Sequence, residues 1–305
     1  MVARKQHTKK RKTNKSASYW VLTFIVAVGV SFFTGTKIDR IEQLTDWDTI
    51  GQTVEKFLSD ESVSNSNTVT IGTETSLSGL EIPVMSKDLT FPVIKHKAYT
   101  LAFNPTYKTP HWVGWELTAQ ESDGIEERED QFLPDPKAKG LSAYSSDYSR
   151  SGYDRGHMAP AGDMKWNSTA MSESFYMTNI CPQIHSLNAG KWNSLEKKTR
   201  ELAKKYGKVH ITCGPIYTSK SPKVIGENRV AVPDAFYKVI LIPKAVNGQP
   251  IAMGFIFQNK KEVRTLISHQ LTVDRVEEIT GLDFFAALPD EIENQIESVK
   301  QKMFP

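Results

Sequence analysis

Two clusters of polar residues, about thirty positions apart, constrain this chain of 305 residues more than any other feature. Residues 153–160 read Tyr-Asp-Arg-Gly-His-Met-Ala-Pro, and the second cluster holds Asn188, Trp192, Asn193, Glu196 and Arg200. A histidine beside an arginine, followed by an asparagine and a glutamate two turns apart on a predicted helix, suits metal-assisted cleavage of a phosphodiester bond. We therefore expect a fold that brings the two clusters together.

The first cluster supplies groups for proton transfer and for charge stabilisation. His157 carries a side chain with an ordinary pKa near neutrality, which suits a general base acting on water. Arg155 is always charged and can donate paired hydrogen bonds to phosphate oxygens, which suits transition-state stabilisation. Gly156 lets the backbone approach a ligand closely. The alternative is a surface turn with a structural Asp-Arg pair and a solvated histidine.

The second cluster predicts a helix that carries metal-site chemistry. The helix has one apolar face, formed by Trp192, Leu195, Leu202 and Tyr206. Gly207 is a stop signal, while Asn188 lies at the predicted start and Glu196 roughly 12 Å further along by helical rise. We expect Asn188 to offer its amide oxygen to a hydrated hard cation such as Mg²⁺, and Glu196 to reach that cation through a water. The alternatives are an ordinary N-cap for Asn188 and an i,i+4 pair with Arg200 for Glu196.

Together these residues resemble the DNA/RNA non-specific endonucleases, the family that contains the Serratia nuclease and mitochondrial endonuclease G. The resemblance runs from about residue 90 to 290. It is carried by SGYDRGHMAPA at 151–161, TNICPQ at 178–183 and NAGKWNSLE at 188–196. The tetrapeptide Asp-Arg-Gly-His alone is a weak signal, but the tetrapeptide, asparagine and glutamate at these spacings are a specific one.

The resemblance implies an α+β fold in which a ββα-metal finger is set in a mainly antiparallel sheet. It implies hydrolysis of DNA and RNA to products with 5′-phosphate and 3′-hydroxyl ends. His157 would be the general base and Arg155 would stabilise the transition state. Asn188 would be the single direct protein ligand of Mg²⁺, with Glu196 contacting the ion through water and Mn²⁺ as a substitute metal.

Substrate attraction has to come from a local basic patch. The net charge is +3, but residues 1–15 hold seven Lys and Arg and no acid, so the remaining chain carries about −4. Lys191 and Arg200 belong to a basic group on the predicted helix and are expected to contact substrate. The resemblance adds Arg128 as a substrate-side arginine, and Asp154 and Gly156 as supports of the loop.

The amino-terminal region predicts a membrane anchor. Residues 16–36 contain no charged residue, a length that roughly matches one membrane-spanning helix after the basic tail of residues 1–15. The positive-inside rule then predicts a cytoplasmic tail and an exported, periplasmic or extracellular, catalytic domain. A cleaved signal peptide and a mitochondrial presequence are the competing interpretations.

Residues 37–79 predict a connecting region, and residues 80–305 the endonuclease domain. Apolar residues at helical spacing over 37–60 indicate a stalk helix that could self-associate into a homodimer, followed by a Ser/Thr-rich tether. Strands are predicted at 98–103, 112–117, 174–178, 209–212, 236–242 and 251–257, and a helix at 274–279. This mixture of strands and helices favours an α+β fold with a mainly antiparallel sheet.

Two questions stay open at the level of sequence. Cys181 and Cys213 would form a disulfide or remain buried thiols with equal weight. The two other functional classes are a non-catalytic nucleic-acid-binding module for uptake and a phosphodiesterase that acts on small nucleotides.

Overall fold

The computed structural model describes residues 78–86, 90–261 and 263–302. The predicted basic tail, membrane anchor and stalk helix, and nearly all of the tether, lie outside these residues. Within the described part of the chain, none of the helices combines the length and hydrophobicity that a membrane span requires.

The described residues form strands and helices joined by short 3-10 turns. The strands are β1 Val84–Met85, β2 Val93–Lys95, β3 Thr100–Asn104, β4 Thr109–Thr118, β5 Asp154–His157, β6 Ile180–Gln183, β7 Lys208–Ile216, β8 Val224–Ile225, β9 Val230–Ala231, β10 Ala235–Ile242, β11 Ile251–Gln258, β12 Gln270–Leu271 and β13 Leu282–Asp283. The helices are α1 Ser168–Ser174, α2 Asn193–Tyr206, α3 Val273–Thr280 and α4 Asp290–Glu297.

A seven-stranded sheet with the order β12-β11-β10-β7-β4-β3-β2 is the framework of the molecule. Every neighbouring pair in it is antiparallel. Three smaller two-stranded pairs are β1-β13, β5-β6 and β8-β9. The expected α+β fold with a central antiparallel sheet is confirmed.

Both faces of the central strand β10 are covered, since all eight of its residues are buried. Because side chains alternate along a strand, Phe236 and Ile240 face one side while Tyr237 and Val239 face the other. The first pair shares a core with helix α2, and the second shares a core with α3 and α4. The sheet therefore separates the α2 side of the molecule from the α3–α4 side.

Helix α2 forms where the apolar pattern predicts it and ends at Gly207, whose φ is +87°. A left-handed residue without a Cβ is a common end for a helix, because other residues are strained there. Its buried face is formed by Leu195, Thr199, Leu202 and Ala203. A π-helical turn over Leu187–Trp192 precedes α2. Asn188 therefore lies inside this turn, not at an ordinary N-cap.

Strands β5 and β6 pair antiparallel, with Asp154 opposite Gln183 and His157 opposite Ile180. Gly156 is required here by close packing, since a Cβ at this position would lie 2.4 Å from the side chain of Gln183. The supporting role expected for Gly156 is thus a steric one. These two strands followed by α2 form a β-β-α unit, in the order that the family resemblance implies.

Most of the predicted elements are present, and one is wrong. Residues 98–103, 112–117, 209–212, 236–242 and 251–257 overlap observed strands, and the helix predicted at 274–279 is α3. The strand predicted at 174–178 is instead the end of α1 followed by a 3-10 turn. The reason is local, because the Asn167 side chain accepts a hydrogen bond from the Ala170 amide and caps a helix there.

The two cysteines are free, buried thiols. Cys181 lies in β6, and Cys213 lies in β7, where its thiol donates to the Met158 carbonyl at 3.3 Å. Burial raises the pKa of Cys213 to about 12. Both side chains therefore act as small apolar core residues.

His111 in β4 gives a prediction about stability in acid. Its Nε2 is buried without a hydrogen-bond partner in the described residues, and burial lowers its pKa from 6.5 to about 4. The unfolded chain binds the proton more readily than the folded protein does. Neutral His111 therefore contributes its full share to the free energy of unfolding above pH 6.5, and this share is lost as the pH falls toward 4. We expect a loss of roughly 2 kcal/mol at pH 5 relative to pH 8.

His111→Gln should remove that part of the acid sensitivity, because glutamine does not titrate. The measurement is urea unfolding of wild type and variant at pH 8 and pH 5. Equal losses of stability in the two proteins would contradict the assignment to His111.

Candidate active site

His157 is enclosed at the end of β5. Its ring packs against the rings of Phe132 and Phe175, at centroid distances of 5.4 and 4.9 Å. The residue is 8% exposed, and its Nε2 is buried with no hydrogen-bond partner in the described part of the chain. An unpartnered ring nitrogen is a group that is ready to accept a hydrogen bond or a proton from a ligand.

Burial, with a smaller effect of the nearby Arg128 charge, lowers the pKa of His157 to about 3. The imidazole is therefore neutral at physiological pH, which is the form that a general base needs. A base with so low a pKa holds a proton weakly, but a bound phosphate anion would raise that pKa by its charge. The reason inferred from sequence, an ordinary pKa near neutrality, does not describe this histidine.

Asp154 holds the side chains of Asn188 and His185. Its Oδ2 accepts a hydrogen bond from Asn188 Nδ2 at 2.9 Å and contacts His185 Nδ1 at 2.8 Å. Because the Asn188 amide nitrogen is used in this way, its Oδ1 is left to face a ligand, and it accepts no hydrogen bond within the described residues. Asp154 thus fixes the Asn188 side chain, whose oxygen was predicted to bind the metal.

Glu196 lies in the first turn of α2 and is partly buried. Burial raises its pKa to about 7, with Lys238, Arg200 and Arg128 opposing that effect and Asp163 adding to it. Its carboxylate has no hydrogen-bond partner in the described ranges. A cation placed next to it would stabilise the charged form, so the site fits a hydrated metal near Glu196.

Arg200 lies beside this carboxylate but binds another one. Its Nη1 donates to Asp163 Oδ1 at 2.6 Å, and Trp115 Nε1 donates to the other oxygen of Asp163 at 3.0 Å. The Arg200 side chain is 19% exposed. The structure therefore gives Arg200 an internal partner, which replaces the alternative pairing with Glu196; its contact with substrate stays a prediction.

The other predicted basic residues differ in position. Arg155 is exposed, donates to Ser145 at 2.6 Å and lies 4.7 Å from the centroid of the Phe132 ring. Arg128 lies 5.0 Å from the centroid of the Phe175 ring. Both guanidinium groups thus stack on the two rings that enclose His157.

A cleft of about 350 Å³ opens beside these groups. It is lined by Phe132, Tyr148, Ser149, Tyr153, Asp154, Arg155 and Asn188. The fold therefore brings Arg155, Asp154 and Asn188 to one cleft, with His157 behind Phe132. Lys191 lines a different, much smaller cavity, together with Leu187 and Phe257.

Lys238 is a residue of this region that the sequence reasoning missed. It is 1% exposed in β10, and its Nζ lies 4.2 Å from the Trp192 ring centroid and 5.4 Å from that of Trp115. Trp192 in turn donates from its indole nitrogen to the His157 carbonyl at 3.2 Å. The signal in the sequence is a single lysine inside an otherwise uncharged strand, Ala-Phe-Tyr-Lys-Val-Ile-Leu-Ile.

Comparison with known proteins identifies the family. The model of the family described as DNA/RNA non-specific endonuclease matches residues 79–291. The chain is 39% identical over 204 residues to the mitochondrial nuclease EXOG of Danio rerio, covering 62% of this chain and 60% of that protein. It is 32% identical over 201 residues to human mitochondrial endonuclease G, covering 62% and 67%.

A solved structure of an endonuclease has a similar fold. The crystal structure of the EndoG/EndoGI complex matches with a TM-score of 0.61 and 31% identity, covering 66% of this chain and 88% of that chain. The fold is thus shared with a solved endonuclease structure. The chain belongs to the DNA/RNA non-specific endonuclease family. It spans about three fifths of the length of the EXOG relatives that it matches.

Lys238→Met should destabilise the protein, because it removes the ammonium that opposes the buried Asp163 and Glu196 charges and that contacts two indole rings. We expect a loss of about 2–4 kcal/mol in the free energy of unfolding. The measurement is urea denaturation at pH 7. Lys244→Met, at an exposed position just beyond the same strand, is the matched control and should unfold as the wild type does. A Lys238→Met protein with unchanged stability would contradict this role.

Proposed function

We propose that this protein is a Mg²⁺-dependent endonuclease that hydrolyses phosphodiester bonds in DNA and RNA without reading base or sugar. One observation carries the proposal: strand β5 contains the buried His157, Arg155 and Asp154, and the Asp154 carboxylate accepts a hydrogen bond from the Asn188 amide. Family membership supports it, since the relatives carry the names of nucleases.

His157 takes the proton of the attacking water, whose oxygen forms the new bond to phosphorus. The bond from phosphorus to the 3′ oxygen breaks, so the products carry a 5′-phosphate and a 3′-hydroxyl, and the leaving oxygen takes a proton from solvent. Arg155 donates hydrogen bonds to the non-bridging oxygens as their charge grows. Arg128, on the other side of the enclosed histidine, provides a second positive charge.

The oxygen donors at the cleft fit Mg²⁺, which prefers hard oxygen ligands and retains part of its water shell. Asn188 would bind the ion directly through Oδ1, and Glu196 would contact it through water. When bound, Mg²⁺ supplies positive charge that stabilises the developing charge on the phosphate and the leaving oxygen. Mn²⁺ has similar oxygen preferences and is expected to substitute.

The groups around the cleft explain a lack of sequence preference. Arginine guanidinium groups bind phosphate oxygens, which are identical along every nucleic acid, and such contacts position the substrate without reading it. Lys191 and Arg200 would add charge near the same helix, and activity would then fall with added salt.

We also propose that residues 16–36 anchor the chain in a membrane, with residues 1–15 cytoplasmic and the catalytic domain exported. The support is the uncharged length of that stretch and the basic residues before it. Self-association through the apolar stripe of residues 37–60 belongs to the same proposal.

His157→Ala should abolish cleavage, because it removes the imidazole that we propose takes the proton from water. The assay incubates the full chain, purified in detergent, with supercoiled plasmid, with RNA and with a small diester, each with Mg²⁺ or with EDTA. His185→Ala is the matched control, since this histidine contacts the same Asp154 but is exposed. We expect it to retain most of the activity.

The arms of this assay separate the alternatives. Cleavage of the small diester alone would indicate a phosphodiesterase for small nucleotides. Binding of plasmid or RNA without cleavage in the presence of Mg²⁺ would indicate a non-catalytic module. Activity of His157→Ala near the wild-type rate would show that the mechanism is wrong.

Asn188→Ala should raise the Mg²⁺ concentration that half-maximal activity requires by about tenfold or more, because a direct oxygen ligand is lost. Glu196→Gln should shift it less, since its contact is through water. The measurement is initial cleavage rate against Mg²⁺ concentration. Asn193→Ala, one turn further along, is the control, and a shift in that variant equal to the shift in Asn188→Ala would contradict the ligand assignment.

A further inference from the structure

A second group of carboxylates lies on the α3–α4 side of the sheet, away from β5. Asp274 and Glu277 project from α3, and Glu297 is the last residue of α4. One carboxylate oxygen from each of these three residues lies within 4.8 Å of the other two. Two oxygens that bind one Ca²⁺ at 2.3–2.6 Å are at most about 5 Å apart, so the three are already close enough to share an ion.

Glu297 shows that this cluster is more than a set of surface charges. The residue is 4% exposed, and its Oε1 is buried with no hydrogen-bond partner among the described residues. A buried carboxylate oxygen without a donor costs free energy unless a proton or a cation occupies the position facing it. Asp274 and Glu277 each bring one carboxylate oxygen within 4.8 Å of a Glu297 carboxylate oxygen.

The charged neighbours that act most on Glu297 add negative charge. The charged groups that act most on it are Glu277, Glu293, Asp274 and Asp283, and each raises its pKa. Burial, with this repulsion, raises the pKa of Glu297 to about 9 and that of Glu277 to about 7. Glu277 uses Oε1 to accept from the Phe284 amide at 2.7 Å, which fixes the side chain and leaves its other oxygen for a ligand.

We propose that Asp274, Glu277 and Glu297 form a Ca²⁺ site that ties α4 to α3. The donor set consists of carboxylate oxygens alone, which excludes the soft metals that select Cys or His. Three carboxylates around one ion suit Ca²⁺, whose coordination is large and flexible, better than Mg²⁺, which usually binds one or two carboxylates and keeps its waters.

This site is separate from the proposed active site and does not depend on it. The family model matches residues 79–291, so Glu297 lies beyond the matched segment. Strand β10 and its neighbours lie between the two regions, since α2 packs on one face of the sheet and α3 and α4 on the other. The function of the ion would be to hold the last helix on the domain.

Thermal unfolding of the full chain, freed of metal with EDTA and then dialysed, tests the proposal. At a Ca²⁺ concentration about a hundredfold above the dissociation constant, we expect the melting temperature to rise by about 5–10 °C. Glu297→Gln should abolish the rise, and Asp274→Asn, at an exposed position, should weaken binding at least tenfold. Glu291→Gln is the matched control, because it removes an exposed carboxylate from the same helix.

The outcomes are distinct from those of the nuclease assay. Asn188→Ala should retain the full Ca²⁺ shift, which separates this site from the active site. The proposal is overturned if wild type shows no Ca²⁺ shift, or if Glu297→Gln keeps it. Should Glu297→Gln fail to fold, the Asp274→Asn titration decides in the same way. An equal shift with Mg²⁺ would overturn the preference for Ca²⁺.

Discussion

The Lys238 ammonium lies 4.2 Å from the centroid of the Trp192 ring. The α2 side of the molecule, which carries the candidate active site, depends on this contact. Burying an ammonium costs several kcal/mol unless charges and ring faces surround it, and here Asp163, Glu196 and two indoles do so. Trp192 closes the π-helical turn before α2 and donates to the His157 carbonyl. One buried cation thus connects the sheet, the helix that carries Glu196 and the strand that carries the histidine.

Burial sets the protonation of this site more than any single ion pair does. It keeps His157 neutral, with a pKa of about 3, and brings Glu196 to about 7. The exposed guanidinium of Arg155 lines the cleft. The resulting arrangement has a neutral proton acceptor, a carboxyl that a cation would ionise, and a fixed positive charge. These are the elements that phosphodiester hydrolysis needs, and they result from position in the fold.

The two candidate metal regions differ in how their oxygens are held. At the cleft, the Asp154 carboxylate accepts a 2.9 Å hydrogen bond from the Asn188 amide and so fixes that side chain. At the α3–α4 cluster, three carboxylates converge, and one oxygen of Glu297 is buried without a hydrogen-bond partner among the described residues. The first arrangement suits an ion that exchanges water during a reaction, while the second suits an ion that holds two helices together.

The sequence by itself predicted the candidate site residues and determined the main strands. Asp-Arg-Gly-His, Asn188 and Glu196 are recognisable because their chemistry and spacing can be read along the chain, and the apolar runs of β10 and β11 are a local signal too. Only the tertiary structure decided that Arg200 pairs with Asp163, that the cysteines are separate thiols, and that Lys238 is buried. These depend on residues distant in sequence, and burial, which sets each pKa, is a property of the packed fold and not of the chain order.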